Sequence, residues 1–458
     1  MKLRHAPGAL IRPVIEARLL PGAGAANGDP SAFSSSMGLM AGRVASMGLG
    51  FLAWLVAARL FAPDQVGLAS GAVAAMMFCV QLALIGIGSA VIALFPRYRE
   101  DPGALLNSSL ATVTLVSLIM GVAFLALARG LFHELDAVAA TPALAIAFLA
   151  MTLFGALNVV LDNVSVAIRR GDQVLTRNVA FGVVTIGVPL GLVATGAGLG
   201  AGSGVILLAW TLAGLAACAI GALQLRRSLP GFHPNLELRT GLARRLVGVG
   251  LPNWALTMTE RGPALLMPVL VTELISPTVN AFWYATWMMA WVVMIIPISV
   301  GQTLFAEAAR DPERAAAATR HGLVTSLGLG IAAAAAMALL ARVALGLLGS
   351  TYADAGEWAL RILVVTVVPF SFIQAYYALC RASGRLAEAT AAGAIFGSAA
   401  VATAVVAGMG AGLAAMAGGW LVVQCLAGAW AAVRLVVLAG PRGAEQGGFG
   451  GGDRLSGD

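Results

Sequence analysis

Residues 65–96, 102–128, 137–161, 178–225, 274–306 and 389–433 contain no Asp, Glu, Lys or Arg. Charge is confined to short islands, and about 20 mainly apolar residues suffice to carry an α-helix across the hydrocarbon core of a bilayer. The stretches 178–225 and 389–433 are long enough for two crossings each. Their Gly-rich midpoints, Gly196 to Gly204 and Gly408 to Gly412, supply the turns. With 59% hydrophobic and 11% charged residues, a fold in water would have to show hydrocarbon over most of its surface.

The sequence therefore predicts an all-α polytopic membrane protein of about twelve transmembrane helices. The spans fall at 37–60, 66–95, 104–129, 141–168, 174–195, 203–225, 244–271, 278–306, 320–348, 357–381, 387–407 and 412–436. Alternating β-strand periodicity is absent, which argues against an outer-membrane barrel. With a cytoplasmic N-terminus, the inner loops carry fifteen Arg residues, among them Arg97, Arg99, Arg169, Arg170, Arg177, Arg381 and Arg385. The outer side keeps four: Arg59, Arg129, Arg342 and Arg361. This positive-inside bias predicts a multi-pass protein of the cytoplasmic membrane with both termini cytoplasmic. The net charge of +7 then reflects topology and lipid headgroup contact rather than nucleic acid.

The chain also repeats itself. Leu60-Phe61-Ala62-Pro63 parallels Leu274-Ile275-Ser276-Pro277, and Leu94-Phe95 with Asp101-Pro102 parallels Leu304-Phe305 with Asp311-Pro312. Two sets of six spans in the same orientation are related by an axis along the membrane normal, a plan that places substrate between lobes. The expected organisation is a disordered cytoplasmic tail over 1–36, an N-terminal lobe over 37–225, a basic linker and hinge over 226–243, a C-terminal lobe over 244–438 and a disordered tail over 439–458. Cys79, Cys218, Cys380 and Cys425 stand singly within spans and read as packing residues, not as a metal site. No Walker sequence is present, and no paired-carboxylate or nucleophile motif stands out around the four histidines, so neither an ATP-driven pump nor an enzyme is expected and no cofactor is implied.

Ionisable groups left inside spans are the candidates for function. Arg43 either provides an anion site for a lipid-linked pyrophosphate, which a guanidinium engages bidentately, or snorkels to the interface. Glu260 and Arg261 sit mid-span near Pro252 and Pro263. Adjacent helical residues point about 100° apart, so each must meet another group or water. Asp162 either carries a coupling proton or cation or, together with Asn158 and Asn163, bonds polar groups on a neighbouring helix. Gln81 and Gln302 are further polar candidates. Trp283, Trp287 and Trp291 recur at steps of four along one helix face, serving packing and lipid contact or sugar stacking, and an interfacial belt is one reading of Trp283.

Three stretches carry a family likeness: Ala58-Arg59-Leu60-Phe61-Ala62-Pro63-Asp64-Gln65-Val66-Gly67, Ile296-Pro297 with Leu304-Phe305, and Leu347 to Ala355 leading to Leu360-Arg361-Ile362-Leu363. On these, and on its layout over residues 35–438, the chain resembles the polysaccharide transporter family, the oligosaccharide flippases of the multidrug/oligosaccharidyl-lipid/polysaccharide exporter superfamily. The resemblance implies a V-shaped pair of six-helix lobes that moves polyprenyl-diphosphate-linked glycan across the membrane by alternating access through a cationic cavity, for cell-surface polysaccharide biosynthesis. Only Arg43 and Arg261 fit the cationic cavity it implies; from their place in the spans, Trp287, Trp291 and Gln302 are further candidate substrate-binding residues and Glu260 or Asp162 candidate ion-coupling residues. Its partners would be the lipid-linked glycan, membrane lipids and a glycan polymerase or glycosyltransferases. Lipid II flippase relatives carry two further C-terminal helices, so a glycan other than the peptidoglycan precursor is expected. A cation-coupled exporter of small molecules, and a scaffold for glycan-assembly enzymes, are the alternatives.

Overall fold

The computed structural model describes residues 46–98, 100–196, 202–229, 232–233, 235, 237–311 and 314–439. Among the described residues there is no β-strand. Helix α1 (Ser46–Leu60) is followed by α2 (Pro63–Leu84), which opens on a proline whose fixed φ and missing N–H suit a first helical turn. The same device opens α4 (Pro102–Leu131), α6 (Pro142–Ala167) and α10 (Pro277–Arg310). Asp101 caps α4 by accepting the Ala104 N–H at 3.2 Å, and Ser276 caps α10 by accepting that of Val279 at 3.1 Å. The remaining elements of the first half are α3 (Ile87–Leu94), a short α5 (Asp136–Ala140), α7 (Gly171–Ala194) and α8 (Gly202–Ser228). The second half holds α9 (Thr240–Leu274), α11 (Ala315–Leu339), a short α12 (Ala341–Gly346), α13 (Ser350–Val365), α14 (Val367–Ala382) and α15 (Leu386–Ala439).

Eight of the described helices are individually long and apolar enough to cross a membrane, and the pair α13–α14, bent by 43°, makes a ninth crossing. Helix α15 is two crossings in one, since Ala411 and Gly412 break it with non-helical backbone, Gly412 at φ 79°. Helix α9 is long but carries Arg244, Arg245, Glu260 and Arg261, and α1 is short within the described residues. Counted this way the helices follow the twelve expected spans in order.

Helices α2, α4, α6, α7 and α8 pack into one lobe, and α9 to α15 into the other; α2 meets both α9 and α10 where the lobes join. Glycine makes that junction close. A Cβ on Gly67 would overlap the backbone of Pro277, and one on Gly86 would overlap the backbone of Gly250. At the second crossing the first-lobe helix is broken: Ile85 (φ 41°) and Gly86 (φ 77°) separate α2 from α3. Consecutive helices run antiparallel, so the turns at Arg169, 237–239, Asp311 and Gly384 share one end of the bundle, here called the basic end. Those at Phe61, 132–135, Ile275 and 347–349 share the far end.

The connection between lobes is shorter than the basic segment 226–243, because α8 runs on to Ser228 and α9 starts at Thr240. It is docked on the first lobe. Asn107 of α4 donates to the His233 carbonyl at 3.1 Å and accepts the Asn235 N–H at 3.1 Å, and Phe232 is buried. The expected tails, 1–36 and residues 440–458 of the second, lie outside the described residues, as does Arg43.

Candidate functional site

The step of four between Trp283, Trp287 and Trp291 puts them on one face of α10, and that face points into the second lobe. Ring centroids of Trp283 and Trp287 lie 5.8 Å apart and those of Trp287 and Trp291 6.4 Å, with interplanar angles of 30° and 28°. Trp420 of α15 meets Trp287 edge-on at 4.9 Å. Trp283 is fully buried, which corrects the reading of it as an interfacial belt residue. Trp287 and Trp291 form part of the wall of a cavity of about 80 Å³, partly open to the exterior. Trp420, Trp430, Phe370 and Phe396 continue that wall. Gly393 and Gly397 of α15 bring the opposite side close, since a Cβ on Gly393 would lie 2.5 Å from the Thr259 hydroxyl.

One carboxylate lines this aromatic cavity. Glu260 Oε2 accepts from the Arg381 guanidinium of α14 at 2.5 Å, with side chains 14% and 22% exposed, while Glu260 Oε1 is buried with no hydrogen-bond partner. Pro252, Pro263 and Pro268 interrupt α9 on both sides of it, removing donors from the helical ladder and leaving nearby carbonyls free for other partners.

Arg261 turns the other way. It shares a helical stripe with Gly250, which touches Gly86, and with Trp254, whose indole N–H donates to the Gln81 carbonyl of the first lobe at 2.7 Å. Arg261 is exposed on this lobe-facing stripe and makes no ion pair or hydrogen bond among the described residues. A guanidinium midway along a membrane-crossing helix is not left facing hydrocarbon without a partner. The stripe directs it toward the first lobe.

The first lobe holds a separate, closed network. Asp162 Oδ1 accepts from Arg177 at 2.7 Å, and Arg177, 1% exposed, also donates to Gln224 at 2.6 Å and Ser165 at 3.0 Å. Gln173 extends it, accepting from Ser165 at 3.1 Å and donating to Ser228 at 2.6 Å. Asp162 thus bonds a polar group on the neighbouring helix, as one of its two readings expected, whereas Asn163 bonds its own helix at Val159. The assignment of Arg177 and Arg381 to inner loops is corrected here. Arg177 lies two turns inside α7 and Arg381 in the last turn of α14, each satisfying a carboxylate on another helix. A further cluster joins Glu388 to Arg434 at 2.6 Å and Tyr376 at 3.1 Å. Tyr376 reaches the cavity wall. Sequence reasoning missed Arg177, Arg381, Glu388 and Arg434, although Glu388 and Arg434 stand inside the expected last two spans and so carried the same signal as Glu260.

Gln302 is exposed on α10 and is not part of the cavity wall. Cys79 and Cys380 are buried, but Cys425 lies on the outer surface, which corrects its reading as a packing residue. Among the described residues no group of three His, Cys, Asp or Glu side chains is placed to hold a metal ion.

No protein-family model matches the chain, and no curated protein sequence is significantly similar to it. Solved structures do share its fold. It is similar to an inward-facing multidrug resistance MATE family transporter of the MOP superfamily, with a TM-score of 0.66 at 16% identity over 86% of this chain and 95% of that one. The lipid II flippase MurJ in an inward closed conformation gives 0.62 at 11% identity, covering 86% of each chain. A MOP superfamily transporter from Pyrococcus furiosus gives 0.59 at 18% identity over 90% of this chain and 97% of that one. The chain therefore has the two-lobed fold of these membrane transporters, and these neighbours are not enzymes.

Proposed function

We propose that the chain is an alternating-access flippase that moves a polyprenyl-diphosphate-linked oligosaccharide across the cytoplasmic membrane for cell-surface polysaccharide synthesis. The observation that carries this reading is Arg261: an exposed cation with no partner among the described residues, midway along α9 on the stripe that faces the other lobe. A diphosphate is the ligand such a group serves best, because a guanidinium offers paired donors to phosphate oxygens. The ladder of Trp287 and Trp291 supplies flat apolar faces to sugar rings or to the isoprenoid. In this reading Arg43 and Gln302 add to the substrate path, and Glu260 or Asp162 responds to a coupling ion. The two lobes correspond to residues 37–225 and 244–438 about the 226–243 linker, both termini are cytoplasmic, and glycan polymerase or glycosyltransferases hand over and receive the cargo.

A second reading rests on Glu260. Its unpartnered Oε1 in an aromatic wall suits an organic cation, held by the carboxylate and by cation–π contact. Deleting the gene separates the two: loss of surface polysaccharide with unchanged drug tolerance supports the flippase, and drug sensitivity with normal polysaccharide supports the exporter. Restoring the gene with Arg261→Ala is expected to leave export absent at normal protein level. Full restoration by that variant rejects the role of Arg261.

A further inference from the structure

At the far end each lobe reaches across to the other with one charged side chain. Arg59, in the last turn of α1, donates from Nε to the Leu347 carbonyl at 2.7 Å and from a terminal nitrogen to the Gly346 carbonyl at 3.1 Å. Those carbonyls close α12, where helical C=O groups have no further N–H to meet and carry partial negative charge. Glu273, in the last turn of α9, does the opposite. Its Oε2 accepts the N–H of His133 at 2.8 Å and of Glu134 at 3.3 Å, and its Oε1 that of Leu135 at 2.6 Å, just ahead of α5. A cation takes carbonyls in one direction, and an anion takes N–H groups in the other.

The two contacts are equivalent by the internal repeat. The sequence spacing that takes Pro63 to Pro277 also takes Arg59 to Glu273 and His133 to Leu347. Each lobe thus offers the end of its first helix to the loop after the third helix of its neighbour, and the sign of the charge is inverted along with the polarity of the backbone groups it holds. Between them the junction is tightly packed. Asn280 donates to the Gly67 carbonyl at 2.9 Å and to the Ser70 hydroxyl at 3.0 Å, and Trp54 lies 4.8 Å from Tyr284.

We infer that Arg59 and Glu273 are paired latches of a far-end gate, which hold the lobes together in this conformation and must both release before the lobes part at that end. Both latches end on main-chain groups, so their grip depends on the charge of Arg59 or Glu273 and not on the side chain opposite. Each closes through hydrogen bonds to a charged group, so losing one is expected to raise the open-to-closed ratio roughly tenfold. The latches share no atoms, so losing both is expected to multiply the two effects. The inference rests on the transport reading only in supposing that the lobes part. Its readout is a distance rather than export, so the two ideas can fail separately.

The test uses the full chain in liposomes with Cys425 replaced by Ser and spin labels at Ala140 and Leu340, exposed far-end positions of the two lobes outside either latch. Electron–electron distance measurement should give a predominantly short separation for the parent. Arg59→Gln and Glu273→Gln should each add a longer population, and the double variant a larger one. Arg59→Lys keeps the charge and should recover most of the short separation, and Glu134→Gln, an adjacent acid whose side chain is not in the latch, should leave it unchanged. Monodisperse elution of each variant establishes folding. Unchanged distances in both folded single variants, or an equal shift from Glu134→Gln, overturns the proposal. If Glu273→Gln misfolds, the Arg59→Gln and Arg59→Lys pair decides alone.

Discussion

Removing Arg381 isolates a carboxylate inside the second lobe. The Glu260 side chain is 14% exposed, its Oε2 depends on Arg381 at 2.5 Å, and its Oε1 already has no partner. Breaking a fully buried pair by deleting one member costs about 3–5 kcal/mol, because the remaining charge is uncompensated. Residual exposure of 14% and 22% admits some water, so we place the cost of Arg381→Gln at about 2 kcal/mol. An unfolding entropy of about 2 cal/mol/K per residue turns that into a fall in Tm of about 2 °C if the whole chain unfolds together, and about 5 °C if the second lobe unfolds alone. Glu260→Gln alone should cost less, since Arg381 ends its helix near the basic end where its guanidinium can reach water. The double variant should be more stable than Arg381→Gln, because it leaves no buried charge. The assay is thermal unfolding in detergent, followed by tryptophan fluorescence, for all four proteins of the cycle. A Tm for Arg381→Gln equal to the parent, or a double variant less stable than the sum of the singles, refutes the argument.

Three further outcomes follow from the geometry. Arg177→Gln should lower stability more than Arg381→Gln, by about 3–5 kcal/mol, since its guanidinium is 1% exposed and serves Asp162, Gln224 and Ser165; the same fluorescence melt reads it. Gly67→Val should loosen the lobe junction, because even a Cβ overlaps the Pro277 backbone; proteolysis of the far-end loops, slow in the parent, should accelerate. Trp287→Ala removes the ring that stacks on both Trp283 and Trp291 and meets Trp420 edge-on; quenching of tryptophan fluorescence by a soluble glycan or isoprenoid probe should weaken about tenfold.

The helical crossings were legible because hydrocarbon excludes charge, so the gaps between charged islands coincide with helices. Pro63, Pro102 and Pro277 stood just ahead of expected spans, and the structure makes each the first residue of its helix, where its fixed φ and missing N–H are tolerated. The break at Ile85 was not legible, since a β-branched residue in the left-handed region is a departure imposed by the crossing of α9 at Gly250 rather than a local preference. Glu260 and Asp162 announced themselves as charges inside spans, yet their partners did not. Arg177 and Arg381 lie near helix ends, where counting charge by loop treats every arginine as a topology signal, and Arg381 is 121 residues from Glu260. The tryptophan spacing specified a face, but whether that face met lipid or a cavity depended on α15, which returns to it only in the folded bundle.

The central claim is that Arg261 supplies the positive pole between the lobes. The most direct measurement is binding of undecaprenyl diphosphate to the purified chain, compared between the parent and Arg261→Gln. The account expects the variant to bind at least tenfold more weakly, with decyl phosphocholine, a zwitterion, bound alike by both. Equal affinity of the two proteins for the diphosphate, in a folded variant, contradicts it.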